Sequence, residues 1–252
     1  MRKVIVFFLC LPLFAQMVEI EGTYDYFEAI KICNKRLGKE WRIAEIWELF
    51  ELRGQIERFG KNRRYWSGNT LGEARIINDI RHEGEVYIQN KELPAFAFFL
   101  QDGDITPTPK WVKAHVICTN QPKKHLLDKE FKRQKDGSVI DKKSDVLWEP
   151  LDTKRPKMRY EDAQRYCESL KLYGREWRLP TLDELFGIVN YNYVKPAVNK
   201  KIFGSMRLKY YLTDDEFEDD KAYVVGFAVG SVATAPKDAK IFFRCVSDLE
   251  QE

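Results

Sequence analysis

Histidine, cysteine and close-set carboxylates are the side chains best able to bind a metal, attack a carbonyl or move a proton near neutral pH. This chain holds three histidines, His82, His115 and His125, and none falls in a metal-ligand spacing. No nucleophile elbow, phosphate loop or dinucleotide fingerprint occurs. Asp102-Gly103-Asp104 and Asp214-Asp215 bring carboxylates close enough for a cation, but a turn and a solvated acidic loop account for them better. The expectation is a protein with no catalysis and no cofactor or resident metal. Binding chemistry is better represented. Arg63-Arg64-Tyr65-Trp66-Ser67-Gly68-Asn69 mixes arginine, aromatics and small polar groups, a composition common at binding surfaces. Its counterpart is Lys209-Tyr210-Tyr211-Leu212-Thr213-Asp214. The candidate ligand surface is therefore Arg64, Tyr65, Trp66, Asn69, Tyr210 and Tyr211. The competing reading is that both stretches begin strands with alternate residues buried.

The cysteines point to covalent structure rather than reactivity. Met1-Arg2-Lys3 is basic, Val4 to Ala15 is almost wholly apolar, and Gln16 begins ordinary sequence. This is the pattern of a secretory signal peptide over residues 1–15, too short to span a bilayer and cut after Ala15. The expected compartment is periplasmic or extracellular, with no stable membrane insertion once the signal is gone. Removing the signal takes Cys10 away and leaves Cys33, Cys118, Cys167 and Cys245, an even set in an oxidising compartment.

An internal repeat chooses their pairing. KEWRIAEIWEL at 39–49 returns as REWRLPTLDEL at 175–185. Trp41, Arg42 and Glu48 recur as Trp177, Arg178 and Glu184. Upstream, Ala29 and Cys33 recur as Ala163 and Cys167. Both stretches have helical period, with Phe27, Ile30 and Cys33, or Ala163, Tyr166, Cys167 and Leu170, on one apolar face. Thr181 and Glu184 form a capping box that starts a second helix. Downstream, Tyr65-Trp66 matches Tyr210-Tyr211, and apolar runs follow at 95–100 and 222–229. Each copy then closes on a strand carrying cysteine, HVICTN or FFRCVSD. The cysteines thus take equivalent places, so Cys33 pairs with Cys118 and Cys167 with Cys245. Each bridge closes a loop of about 80 residues and stabilises its domain by roughly 4–5 kcal/mol on chain-entropy grounds. The repeated Arg and Glu are expected to pair as Arg42–Glu48 and Arg178–Glu184, with the Trp side chains as scaffold.

The boundaries follow: one domain over 16–120, a connector over 121–137 and a second domain over 138–248. The connector has six Lys or Arg against three Asp or Glu and reads as a solvated basic linker. The 252 residues are 44% hydrophobic and 13% aromatic, which suits packed domains rather than disorder. With 42 basic and 39 acidic residues, a net charge of +3 makes no case for nucleic acid.

GSVIDKKSDVLWEP, AQRYCESL, EWRLPTLDEL and FFRCVSD occur in the order that marks the Lcl C-terminal domain family, which residues 136–248 resemble. Residues 17–120 are a degenerate match, with Ile43-Ala44-Glu45 in place of Leu179-Pro180-Thr181 and no clear D-x-x-x-x-x-L-W opening strand. That family resembles the C-type-lectin-like fold. The resemblance implies an α+β architecture of two tandem domains. Each would pack two helices on a small antiparallel sheet, with a disulfide from first helix to last strand. It also implies a binding or adhesion role at the bacterial envelope, with a polysaccharide or an envelope protein as partner. A structural subunit of a secreted assembly is the alternative. The calcium-binding triplets of sugar-binding C-type lectins are not present.

Overall fold

In the computed structural model the described residues are 17–53, 59, 62–70, 94–122, 130–152, 154–193 and 195–249. The expected signal peptide lies outside them, as do His82 and His125. The chain divides into two units, Met1–His125 and Leu126–Glu252.

The first unit opens with β1 (Met17–Tyr24), where Val18 and Ile20 are buried and Glu19 and Glu21 point outward. The D-x-x-x-x-x-L-W motif is missing here, but the strand is not; its alternation of apolar and acidic residues is the signal. Asp25 and Glu28 close a capping box at the start of α1 (Tyr26–Leu37). This helix buries Tyr26, Ala29 and Cys33. Phe27 and Ile30, expected on the buried face, are exposed instead. The Tyr26 ring decides the rotation, because it meets Trp66 edge-on at 5.4 Å inside the core. Then come β2 (Arg42–Ile43), α2 (Ile46–Phe50), β3 (Arg64–Thr70), β4 (Ala95–Phe99), β5 (Ile105–Thr108) and β6 (Ala114–Thr119). They form a sheet in the order β1-β6-β3-β4-β5, with β2 also on β6. All pairs are antiparallel except β3 with β6.

The second unit begins with β7 (Phe131–Arg133), inside the stretch read as a linker. Phe131 packs on Phe203 at 4.9 Å, so this segment is tied into the unit by an aromatic contact and by pairing to β8 (Val139–Asp141). The chain continues through β9 (Val146–Trp148), α3 (Tyr160–Ser169), α4 (Leu182–Gly187) and α5 (Lys200–Phe203). It ends with β10 (Tyr210–Phe217), β11 (Lys221–Gly226), β12 (Ser231–Pro236) and β13 (Val246–Asp248). One antiparallel set runs β13-β9-β8-β7, another β10-β11-β12.

Cys33 bonds Cys118 and Cys167 bonds Cys245, with Cα separations of 5.5 and 5.6 Å. Around them the two cores match position by position: Tyr26 with Tyr160, Ala29 with Ala163, Ile43 with Leu179, Ala95 with Ala222. One exchange conserves volume. The first core holds Trp66 and leaves Trp41 half-buried; the second holds Trp177 and has Leu212 where Trp66 stands.

Candidate functional site

The repeated motif is occupied with structural work. Arg42 donates to both Glu48 oxygens at 2.8 and 2.9 Å, and Arg178 to both Glu184 oxygens at 2.8 Å. The same carboxylates accept the Glu45 and Thr181 backbone N–H, each at 2.7 Å. Each glutamate therefore joins the incoming strand to the first turn of the helix that follows. Hydrogen bonds donated to Glu184 raise the Arg178 pKa, against the effect of burial and with help from Asp248.

The predicted ligand surface does not exist as one surface. Tyr65, Trp66 and Tyr211 are buried in the cores. Trp66 donates its indole N–H to the Tyr24 carbonyl at 2.9 Å, and Tyr65 donates its hydroxyl to Glu19 at 3.1 Å. Arg64 is half-buried over the Phe99 ring at 4.5 Å. Asn69 accepts the Ile46 N–H at 2.7 Å and caps α2. Of the six residues, Tyr210 alone is largely exposed. Both stretches do begin strands, but each buries three consecutive residues rather than alternate ones, and the register is shifted by one: Tyr65 pairs with His115 as Tyr211 does with Phe242. Tyr65 thus corresponds to Tyr211, Trp66 to Leu212, and Asn69 to Asp215, which accepts the Leu182 N–H. A one-residue slip exchanges the two faces of a strand, which is why matching Tyr-Trp to Tyr-Tyr misplaced every side chain.

Among the described residues no three His, Cys, Asp or Glu side chains are placed to hold a metal. Asp102 accepts the Asp104 N–H at 3.1 Å across Gly103, whose φ of +73° suits glycine, so this acidic pair is a turn. Asp104 is pushed up to about 6 by burial and by the Asp102 charge. On β1, β3 and β6, the Glu19 Oε1 accepts from Arg63 at 2.7 Å and lies 3.5 Å from His115 Nδ1. Burial, then the Arg63 charge, lower the His115 pKa.

The second unit holds a charge cluster that motif reading did not reach. Glu149 and Arg244 are buried where the chain leaves β9 and enters β13. The Glu149 carboxylate accepts both terminal nitrogens of Arg155 and the Cys245 N–H at 2.6 Å. The Glu149 carbonyl accepts Arg244 Nε and Nη2 at 3.0 and 2.6 Å. Burial lowers the Arg244 pKa to about 10, against the pull of Glu149. Arg155 lies over Tyr166 and Phe243 at 4.7 and 5.0 Å. Burial opposes its charge, yet the hydrogen bonds it donates to Glu149 hold its pKa above the ordinary arginine value.

These groups floor a shallow, solvent-open recess with about 10 Å³ accessible to a water-sized group, also lined by Asp152, Ser205, Arg207, Tyr211 and Phe242. At its rim the exposed Arg207 and Lys157 cations lie 5.2 and 5.7 Å from the half-buried Phe242 ring. Tyr211 OH accepts the Arg207 backbone N–H at 3.0 Å. Strand pairing shows what the first unit has instead. Trp148 lies opposite Val246, next to Cys245, and Met17 opposite Thr119, next to Cys118. Val18 and Ile117 therefore stand where the second unit buries Glu149 and Arg244. The missed signal was the arginine in FFRCV, set against isoleucine in the first copy's HVICT.

The family model of the Lcl C-terminal domain matches residues 137–247. That segment is similar to the Lcl C-terminal domain. It contains the Cys167–Cys245 bridge, the Arg178–Glu184 clamp and the whole recess, and the first unit lies outside the match. Among solved structures, the crystal structure of botrocetin is similar at 12% identity and a TM-score of 0.31, over 45% of this chain and 99% of botrocetin's. No curated protein matches the chain. No helix among the described residues is long and apolar enough to cross a membrane.

Proposed function

We propose that this chain is an exported, non-enzymatic binding module of the bacterial envelope, built from two tandem C-type-lectin-like domains. The Lcl C-terminal domain holds an acidic polysaccharide in the arginine recess. The observation that carries this reading is the exchange of Val18 and Ile117 for Glu149 and Arg244 on one scaffold. An apolar pair serves the fold at least as well as buried charges, so the charges call for another reason. Arg207 and Lys157 offer donors to a carboxylate or sulfate, and the Phe242 face offers a platform for a sugar ring. Two disulfides fit an oxidising compartment.

Protein spanning residues 16–252 should bind polygalacturonate saturably at physiological salt and ignore neutral dextran. Arg207→Ala and Phe242→Ala should each weaken this by about tenfold or more, because one charge-assisted bond or one ring platform is lost. Equal binding by both variants, or none by the parent, overturns the reading.

A further inference from the structure

The two units share one corner in detail. Where α1 begins, the Tyr26 N–H donates to the Lys110 carbonyl at 2.9 Å; where α3 begins, the Tyr160 N–H donates to the Lys237 carbonyl at 3.0 Å. Lys110 Nζ lies 5.5 Å from the Tyr26 ring, and Lys237 Nζ 5.4 Å from the Tyr160 ring. The turns close alike, Val112 onto Pro109 and Ala239 onto Pro236, both at 3.0 Å.

On this common frame the outward residues differ in kind. Phe27, Ile30 and Trp111 are 44%, 40% and 46% exposed. Their equivalents are Glu161, Gln164 and Asp238, and Gln164 bonds Asp214 at 2.9 Å. The fold therefore accepts polar residues at all three places, although the Phe27 ring also meets Tyr26 edge-on at 6.2 Å. Its surroundings are basic. Lys31 stands one turn along α1 from Phe27, Lys35 one turn further, and Lys113 follows the turn; all three are exposed. Lys110 Nζ lies 5.5 Å from the Phe27 ring. The nearby acids Asp25 and Glu28 are engaged in their capping box.

Exposed Trp, Phe and Ile ringed by lysines is the composition that settles into the headgroup layer of an anionic bilayer, with rings at the acyl boundary and ammonium groups on phosphates. We infer that this corner of the first unit is a peripheral docking face for an anionic phospholipid surface, shallow and reversible, with no segment crossing. The lysines decide against a protein partner as the favoured occupant, because desolvating several ammonium groups in a protein interface needs matched carboxylates, whereas headgroup phosphates provide them in any register. The site is separate from the recess and does not depend on the polysaccharide reading.

The test uses protein spanning residues 16–252, which keeps every described residue, and sedimentation with phosphatidylcholine vesicles with or without about one-third phosphatidylglycerol. The parent should sediment with the anionic vesicles only, and less at high salt. Phe27→Glu with Ile30→Gln and Trp111→Asp writes the second unit's residues into the first and should abolish this. A charge-neutral set, Phe27→Gln with Ile30→Gln and Trp111→Ser, should weaken it by about tenfold or more, since the rings supply the apolar part. Arg207→Ala should bind vesicles as the parent does. No sedimentation by the parent, or unchanged binding by the charge-neutral set, overturns the inference. So does a parent oligomer that ignores vesicles and becomes a monomer in the triple variants, which would assign the face to a protein partner.

Discussion

The Arg42 guanidinium holds the Glu48 carboxylate by two hydrogen bonds, 2.8 and 2.9 Å, across the corner where β2 turns into α2. Arg178 and Glu184 repeat the geometry, but the first pair is the drier one: the arginine side chains are 19% and 34% exposed, and the glutamates 2% and 10%. Removing one partner of a buried pair strands the other charge, and solvent softens the loss. Arg42→Ala should therefore destabilise its unit by about 2–4 kcal/mol and Arg178→Ala its own by about 1–2 kcal/mol. Guanidinium denaturation would show this, and equal losses would contradict the burial argument.

Asn69 and Asp215 each reach from the strand after the helix to cap the helix itself, accepting the Ile46 and Leu182 N–H. Replacing either with alanine should cost about 1 kcal/mol, the usual loss of an N-terminal cap. Asp215→Asn should be nearly neutral, because asparagine does the same work in the first unit. A loss at Asp215→Asn as large as at Asp215→Ala would instead mean that the negative charge at the helix start is what counts.

Asp104 sets a pH dependence. Its folded pKa of about 6 stands above the model-peptide value of 3.8, through burial first and the Asp102 charge second. A carboxyl raised on folding favours the folded state when protonated. That contribution is complete below the unfolded value and is lost as pH rises through the folded one. Asp104→Asn should thus raise the melting temperature at pH 7.5 and make little difference near pH 4, with the gap opening between about pH 4 and 6. A gap that stays constant across that window would locate the effect in the turn rather than in ionisation.

Periodicity and repetition made much of the architecture legible. The Arg–Glu clamps and the Thr181 capping box follow from short spacings, which helix geometry translates directly into contacts, and the cysteine pairing, across 85 and 78 positions, follows from the equivalence of the two copies. Two misreadings have a common cause. Phe27 and Ile30 looked like a core face, and Tyr65-Trp66 like the partner of Tyr210-Tyr211. A one-residue slip reverses the faces of a strand, a one-residue rotation turns a helix by about 100°, and local pattern does not resolve one residue. The linker was misread differently. Phe131 is a single aromatic in a basic run, and what holds it is Phe203, 72 positions away.

By itself the sequence determined that this protein has paired cysteines, a doubled strand-to-helix scaffold and a second half similar to the Lcl C-terminal domain, because these rest on neighbours a few residues apart or on the comparison of one copy with the other. Only the tertiary structure decided which residues have an outward role. Glu149, Arg155 and Arg244 meet across 95 positions of chain, and Lys110, beside Trp111, lies over the Phe27 ring. Whether a side chain faces solvent or core depends on packing between segments far apart in the chain, and that packing is settled only when the chain has folded.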